Sequence, residues 1–393
     1  MDYTKRNTPY FLIHTEAVDE LTHTFQKSLK SFWPNGIIGY SIKTNNLPWM
    51  IHHMKEQGLW AEVVSSDEYS LALELRYSHD HIIFNGPVKG KEEFIEAIRN
   101  NSIVNIDSKR ELEWLTECDS LSTNPYTIGL RVNFCVEEYC PGETKFGSED
   151  GRFGFSYETG ELADAINLLK SKNICISGLH MHCSSKSRSL KIYETITKMA
   201  IKIAKEYALS LKYIDIGGGF FGGVAGKPSF KQYFETVYNT LKSDSSMYDC
   251  NIIAEPGVSI VGSGVDYITT VVDVKKTKNN TFVLLDGSRI HIDPLMKKES
   301  YLYLIVRNTS QNVSTVVEEQ ILCGFTCMEG DRFFRINDVP LTKGDIIVFQ
   351  KMGAYTMGLS PQFIEFFPAV YEAKGDEFLT AREKGNAKTF VHT

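Results

Sequence analysis

The sequence has no excess of positive charge, no apolar run long enough to span a bilayer, no CxxC cysteine pair and no short-period repeat. Each absence excludes something. A formal net charge of −7 over 393 residues argues against a nucleic-acid partner, which would need a basic face. Without a long apolar run there is no membrane-spanning helix to expect. The opening Met1-Asp2-Tyr3-Thr4-Lys5-Arg6 leads into no apolar signal region, so the cytoplasm is the expected compartment. Eight cysteines are scattered along the chain. Lacking CxxC spacing, they indicate neither a zinc ribbon nor a disulfide framework, and reduced thiols are expected.

What is present is alternation. Hydrophobic residues make up 42% of the chain, enough for two cores. Strand-like runs occur at Ile37–Ile42, Glu62–Val64, His81–Asn85, Ile103–Ile106, Thr127–Asn133, Ile176–His182, Tyr213–Ile216 and Ile252–Ala254. Helical patterns lie between them at Glu68–Leu75, Glu92–Ile98, Lys109–Leu115, Leu162–Leu169, Ile192–Tyr207 and Phe230–Leu241. Eight strand–helix units predict a closed parallel (β/α)8 barrel over residues 30–265, with an open doubly wound sheet as the alternative. After about Gly257 the pattern turns to strands and turns: Ser259–Val274, Thr281–Leu285, Tyr301–Ile305, Asn312–Val317, Gly344–Phe349 and Ala369–Tyr371. Residues 266–393 therefore form a β-rich domain, and the strand-like Pro9–His14, within residues 1–29, is expected to join its sheet.

Chemistry in such a barrel belongs at the C-terminal ends of the strands. The first run ends in Lys43, a lone lysine after Gly39-Tyr40-Ser41-Ile42. Buried there, its ammonium would lose protons more easily and act as a Schiff-base nucleophile; alternatively it snorkels to solvent. The seventh run ends in Gly217-Gly218-Gly219, whose backbone N–H groups can approach a phosphate closely. Two glycines would satisfy a tight turn, and the third favours the anion. Glu255-Pro256-Gly257 ends the eighth run. Its acid either holds a proton on a pyridine-type nitrogen or pairs with a structural arginine such as Arg131. His180 and His182 share one strand face. A His-x-His pair can chelate, yet no carboxylate or third histidine stands at matching spacing, so no metal is expected. A histidine stacked on a flat cofactor explains the pair as well, and Ser185 can donate to a phosphate. In the β-rich domain, Cys327 lies in a Gly- and acid-bearing loop, and Tyr355 follows a strand as a phosphate ligand or as core.

In chain order, Tyr40-Ser41-Ile42-Lys43-Thr44-Asn45, Arg152-Phe153-Gly154, His182 to Ser185, Gly217-Gly218-Gly219, Glu255-Pro256-Gly257, Cys327 to Asp331 and Gly353-Ala354-Tyr355 form a series. It resembles the motifs of the fold-type III pyridoxal-phosphate decarboxylases, the diaminopimelate and ornithine decarboxylase family. The resemblance runs from Thr8 to about Tyr371 and implies a TIM barrel of the alanine-racemase type plus a C-terminal β-sandwich or β-barrel domain. It implies pyridoxal 5'-phosphate as cofactor and an amino-acid-like small molecule as substrate. Lys43 would form the Schiff base, His182 stack on the ring and Glu255 pair with the ring nitrogen. Ser185, Gly219 and Tyr355 would hold the phosphate, with Gly217, Gly218, Gly257 and Arg131 completing the cofactor site. Cys327 would return a proton to the α-carbon. Asp293, Met328, Glu329, Asp331 and Tyr355 would face the substrate. Cys327 and Asp331 would serve the neighbouring subunit's site, making the enzyme an obligate homodimer, with Arg152 placed to pair with Asp331 across the interface.

Four departures from the family pattern bear on the substrate. Val258 stands where an arginine is usual after Glu255-Pro256-Gly257, and Asp293-Pro294 where an arginine–proline pair is usual. Met328 replaces the acid after the cysteine, and Lys351 precedes Met352-Gly353 where relatives carry an acid. Two lost arginines remove a clamp for a distal carboxylate, which argues against free diaminopimelate. Asp293 is left to accept a distal ammonium, whereas Met328 suits a substrate whose distal amine is acylated or conjugated. Two other readings stay open. An alanine-racemase-like enzyme would carry a tyrosine rather than Cys327 opposite the lysine. A non-catalytic relative of the antizyme-inhibitor kind would lose cofactor contacts, as Val258 does.

Overall fold

The computed structural model describes residues 1–118, 127–144, 149, 151–308 and 318–391. The chain divides into a unit of Leu21–Lys43 and Met50–Ser259, and a unit of Met1–Glu20, Thr44–Trp49 and Ile260–Thr393. The division falls at Glu20/Leu21 and Ser259/Ile260, where the sequence reading drew it at 29/30 and 265/266.

Eight parallel strands build the first unit: Ile37–Ser41, Trp60–Val63, Ile82–Phe84, Ile103–Ile106, Ile128–Asn133, Gly178–His180, Tyr213–Asp215 and Asn251–Ala254. Each pairs with the next in sequence, and the eighth pairs with the first. That closure is a TIM barrel and excludes the open sheet. All eight expected strands are present. So are the six expected helices, held to the barrel by apolar stripes such as Leu162, Ala165, Ile166 and Leu169. The helix Phe230–Lys242 starts at a capping box in which Ser229 and Gln232 satisfy each other's backbone N–H groups.

Among the described residues two helices longer than a single turn are additions, Thr15–Lys30 and Pro48–Glu56. The inward stripe of the first is Val18, Thr22, Phe25 and Leu29, and its buried threonine blurs the apolar period. The second is only 9 residues long and buries Met50, Ile51 and Met54.

The barrel interior is filled, and its filling is partly polar. Tyr213 points inward, and a Cβ on Gly178 would fall 2.2 Å from its ring. A Cβ on Gly129 would fall 2.4 Å from its hydroxyl and 2.1 Å from Asn105 Oδ1. The two glycines make room for a Tyr213–Asn105 hydrogen bond of 2.9 Å inside the barrel. Register then sets polar residues in rows. Ser41 lies beside Glu62, and Arg131 beside His180 beside Asp215.

In the second unit Tyr10–His14 runs antiparallel to Val265–Lys276 and parallel to Ala369–Lys374, so the N-terminal strand joins the C-terminal sheet as expected. Tyr10, Leu12, Ile268, Ile346, Val348, Ala369 and Phe378 form a core there. The expected strand Ser259–Val274 needs correction. Val258–Val261 is a helical turn and the strand begins at Val265. Strands Gln320–Cys323, Arg332–Ile336 and Glu377–Arg382 were not anticipated. The expected strand Asn312–Val317 lies outside the described residues. Among the described residues no helix is long and apolar enough to cross a membrane.

Candidate active site

At the C-terminal ends of the barrel strands a cavity of about 600 Å³ is lined by Lys43, Glu62, Asn85, Arg131, Arg152, Phe153, His180, His182 and Glu255, among others. Lys43 follows the first strand in the turn Ile42–Thr44. Its ammonium lies 2.7 Å from the carboxylate of Glu62. Here the expectation of a buried ammonium is corrected: the Lys43 side chain is 39% exposed, nearer the alternative of a lysine that reaches solvent, and a buried acid holds it. Glu62 also accepts from Ser41 Oγ at 2.7 Å and from Asn85 Nδ2 at 3.0 Å. The same Asn85 amide donates to Glu255. Asn105 supports Asn85 from below, donating to its Oδ1 at 2.8 Å and to Asp215 at 3.2 Å. One chain of hydrogen bonds thus leads from Lys43 through Glu62 and Asn85 to Glu255.

Charge on this chain is unevenly placed. Burial raises the Asp215 carboxyl well above its usual range, and the neighbouring Glu255 adds to the effect. Asp215 therefore holds a proton. Burial also opposes charge on Glu255, but its contact with His180 and the Lys43 ammonium outweigh it and hold that carboxyl below the usual range. Glu255 is the anion of the pair. Burial keeps both histidines neutral, with His180 lowered and His182 pushed down to about 3. Their rings stack at 27° with centroids 6.2 Å apart, which bears out a shared face.

His182 Nδ1 accepts the Gly218 N–H at 3.1 Å, and Asp215 accepts the Gly217 N–H at 2.9 Å. Gly217 has φ +66°, and a Cβ there would stand 2.3 Å from His182 Nδ1. Only glycine fits. The glycine run and Ser185 adjoin the cavity at His182 without belonging to its lining. Arg131 does not pair with Glu255. It meets Asp107 at 3.1 Å and lies over the Phe153 ring at 4.6 Å. Gly257 follows Pro256, whose carbonyl accepts the Ser41 N–H at 3.2 Å.

No metal was expected because no carboxylate stands near His180 in sequence. Barrel closure supplies two: ligand atoms of His180, Asp215 and Glu255 lie within 4.8 Å of one another. Both nitrogens of the buried His180 ring, and Nε of Arg131, lack a hydrogen-bond partner among the described residues. An anionic acid in the cavity lining, a neutral flat imidazole, orphaned donors and a glycine cradle suit a flat nitrogen heterocycle that carries a phosphate.

The residues expected from the second unit are described within it. Cys327 is exposed in the loop after Gln320–Cys323, and Met328 is half-buried. Tyr355 is exposed, with φ +55°, and its N–H donates to Thr44 O at 2.8 Å. Glu329 pairs with Arg332 at 2.9 Å.

Two of the expected substrate-facing acids accept hydrogen bonds within the sheet unit. Asp293 is buried and accepts from Arg289, Tyr301 and the N–H groups of Lys297 and Lys298. Asp331 is only 2% exposed. It accepts from Ser288, from the Arg289 N–H, and from both the N–H and the hydroxyl of Thr326. Its carboxylate closes its own loop. Sequence reasoning missed Glu62, Asn85, Asn105 and Asp215. The signal was available, since each lies at or next to the C-terminal end of a barrel strand, as Lys43 does.

Comparison with known proteins agrees with this geometry. Residues 16–262 match the family model "Pyridoxal-dependent decarboxylase, pyridoxal binding domain". Residues 180–353 match the model of the C-terminal sheet domain of the same decarboxylases. The diaminopimelate decarboxylase of Staphylococcus aureus is 26% identical over 91% of this chain and 86% of its own length. A probable chloroplastic diaminopimelate decarboxylase from Oryza sativa is 23% identical over 97% of this chain and 78% of its own length. Among solved structures, the diaminopimelate decarboxylase of M. jannaschii in complex with L-lysine superposes with a TM-score of 0.85 at 21% identity, covering 99% of this chain and 92% of that one. The arginine decarboxylase of Paramecium bursaria Chlorella virus bound to agmatine gives 0.75 at 20% identity, covering 94% and 98%. At these identities the structures establish the shared fold.

Proposed function

Given that the chain belongs to the pyridoxal-dependent decarboxylase family, we propose that it removes the α-carboxyl group of an amino acid or amino-acid conjugate whose far end carries no free ammonium. The broad activity, pyridoxal-phosphate-dependent amino-acid decarboxylation, follows from that membership. The observation that supports the placing of that chemistry is the chain from Lys43 through Glu62 and Asn85 to Glu255.

When bound, pyridoxal phosphate supplies a ring that accepts the electron pair left by departing carbon dioxide. The residues do the rest. Lys43 would hold the cofactor through its aldehyde carbon, with release of water, and Glu62 holds the lysine at the strand end. Glu255, kept anionic, would favour a proton on the ring nitrogen. His182, kept neutral, would offer the ring a flat uncharged face. Gly219 and Ser185 would hold the phosphate, and the family pattern adds Tyr355. By the same pattern Cys327 would return a proton to the α-carbon, with two copies of the chain sharing their sites.

For the substrate, Asp293, the acid left to read a distal ammonium, accepts from Arg289 and from its own loop, and Met328 stands where a second acid is usual. An acylated or conjugated distal end fits that chemistry better than a cation. The test is carbon dioxide release by purified protein with pyridoxal phosphate, across lysine, ornithine, arginine, meso-diaminopimelate and their acylated derivatives. Lys43→Ala is the control. Release confined to acylated substrates supports the reading, whereas rapid turnover of the free basic amino acids overturns it.

A further inference from the structure

The glycine run owes its shape to a residue outside it. Tyr193, on the helix Leu190–Glu206, is buried and donates its hydroxyl to the Gly218 carbonyl at 2.8 Å. A trans peptide is planar, with C=O and the following N–H pointing in opposite directions. Fixing the Gly218 carbonyl towards the helix therefore turns the Gly219 N–H away from it, to the exposed side of the loop. The N–H groups of Gly217 and Gly218 are already taken by Asp215 and His182. Among the described residues the Gly219 N–H meets no acceptor. It is the donor the loop has left to offer an anion.

The hydroxyl is held in place by packing. The Tyr193 ring stacks on Phe220 at 5.0 Å and meets Tyr233 edge-on at 4.8 Å. Tyr233 does for the neighbouring loop what Tyr193 does for the glycines. Its hydroxyl donates to the Arg188 carbonyl at 2.7 Å. Arg188, at φ +53°, in turn donates its N–H to Ser185 Oγ at 3.0 Å. One aromatic cluster thus anchors both loops that carry candidate phosphate donors.

We infer that Tyr193 and Tyr233 are positioning residues for the cofactor's phosphate, with Tyr193 setting the direction of the Gly219 N–H and Tyr233 the place of Ser185. This rests on the pyridoxal-phosphate reading of the site. Neither tyrosine touches the reacting atoms, so the effect falls on affinity for the phosphate and leaves turnover of the loaded enzyme alone.

The experiment compares pyridoxal phosphate with pyridoxal, which lacks the phosphate. Apoenzyme is titrated with each, and the absorbance of the cofactor held on Lys43 gives the dissociation constants. Tyr193→Phe keeps the ring and deletes one hydrogen bond. We expect its affinity for pyridoxal phosphate to fall about fivefold to tenfold, with pyridoxal binding and turnover at saturating cofactor changed by less than about twofold. Tyr233→Phe should move in the same direction by less. Equal weakening of both ligands, the mark of a damaged fold, overturns the inference and leaves the decarboxylase reading intact, as does unchanged affinity for pyridoxal phosphate. Failure of the unmodified protein to bind pyridoxal phosphate at Lys43 overturns both.

Discussion

In the barrel unit the buried carboxylate of Glu62 takes hydrogen bonds from Ser41, Lys43 and Asn85. In the sheet unit the buried carboxylate of Asp331 takes hydrogen bonds from Ser288, Arg289 and Thr326. Both acids are satisfied, and both are almost fully enclosed. The difference lies in what the donors can do next. Lys43 is a half-exposed ammonium on the lining of a cavity, and Asn85 passes the connection on to a second acid. The donors to Asp331 are backbone amides and hydroxyls of neighbouring segments. A buried acid therefore signals chemistry when its partners are themselves reactive or reach a cavity, and signals loop closure when they are not.

Substitutions test that distinction directly. The largest effect belongs to Lys43→Ala, which should lower carbon dioxide release by at least about a thousandfold and abolish the absorbance of bound cofactor, with little change in the unfolding midpoint. Next is Asn85→Leu, which cuts the connection between Glu62 and Glu255 and removes one of the two acceptors of the Asn105 amide. Turnover should fall by roughly 10–100-fold at saturating cofactor, read as kcat rather than KM. Asp331→Ala belongs to the other class. Deleting an acid that holds four donors should cost about 2–4 kcal/mol of stability and lower the unfolding midpoint by several degrees. A raised KM with an unmoved midpoint would instead make Asp331 a substrate ligand and erase the contrast.

The contrast also marks what could be read in advance. Barrel strands were legible because buried parallel strands are short apolar runs that end in turn chemistry, and the glycine run, Lys43 and Glu255 all sit at such ends. Partnerships were not legible. Asn85 and Glu255 are 170 positions apart and meet only when the eighth strand pairs with the first. Asp293 looked available in the sequence because nothing there reveals that the N–H groups of Lys297 and Lys298 fold back onto it. The strand Gln320–Cys323 escaped notice because it follows two acids and opens on a buried glutamine.

The smallest predicted effect concerns two histidines whose protonation burial opposes, His182 in the barrel unit and His291 in the sheet unit. Burial depresses His182 to about 3, and His291 to about 4. Both are neutral in the folded protein, while an unfolded histidine titrates near its usual value of about 6.5. Between those values the unfolded chain binds the extra proton, so stability falls as pH falls from about 6.5 towards 4. For His291 the loss between pH 7 and pH 5 should be about 2 kcal/mol. A wild-type profile alone cannot isolate it. Glu68, raised by burial to about 7, works in the opposite direction over the same window. The difference between wild type and His291→Gln cancels that contribution, because Glu68 is common to both. Around His291 stand the Tyr267 hydroxyl, 2.6 Å from Nδ1, with Asp331, Lys384 and Arg382 further out. Glutamine is uncharged throughout, so the variant should lose less stability than wild type on acidification, with affinity for the cofactor unchanged. A parallel loss in the two proteins would mean that His291 accepts its proton inside the fold. A change in cofactor affinity would mean that the sheet-unit histidine acts on cofactor binding, the role proposed for His182.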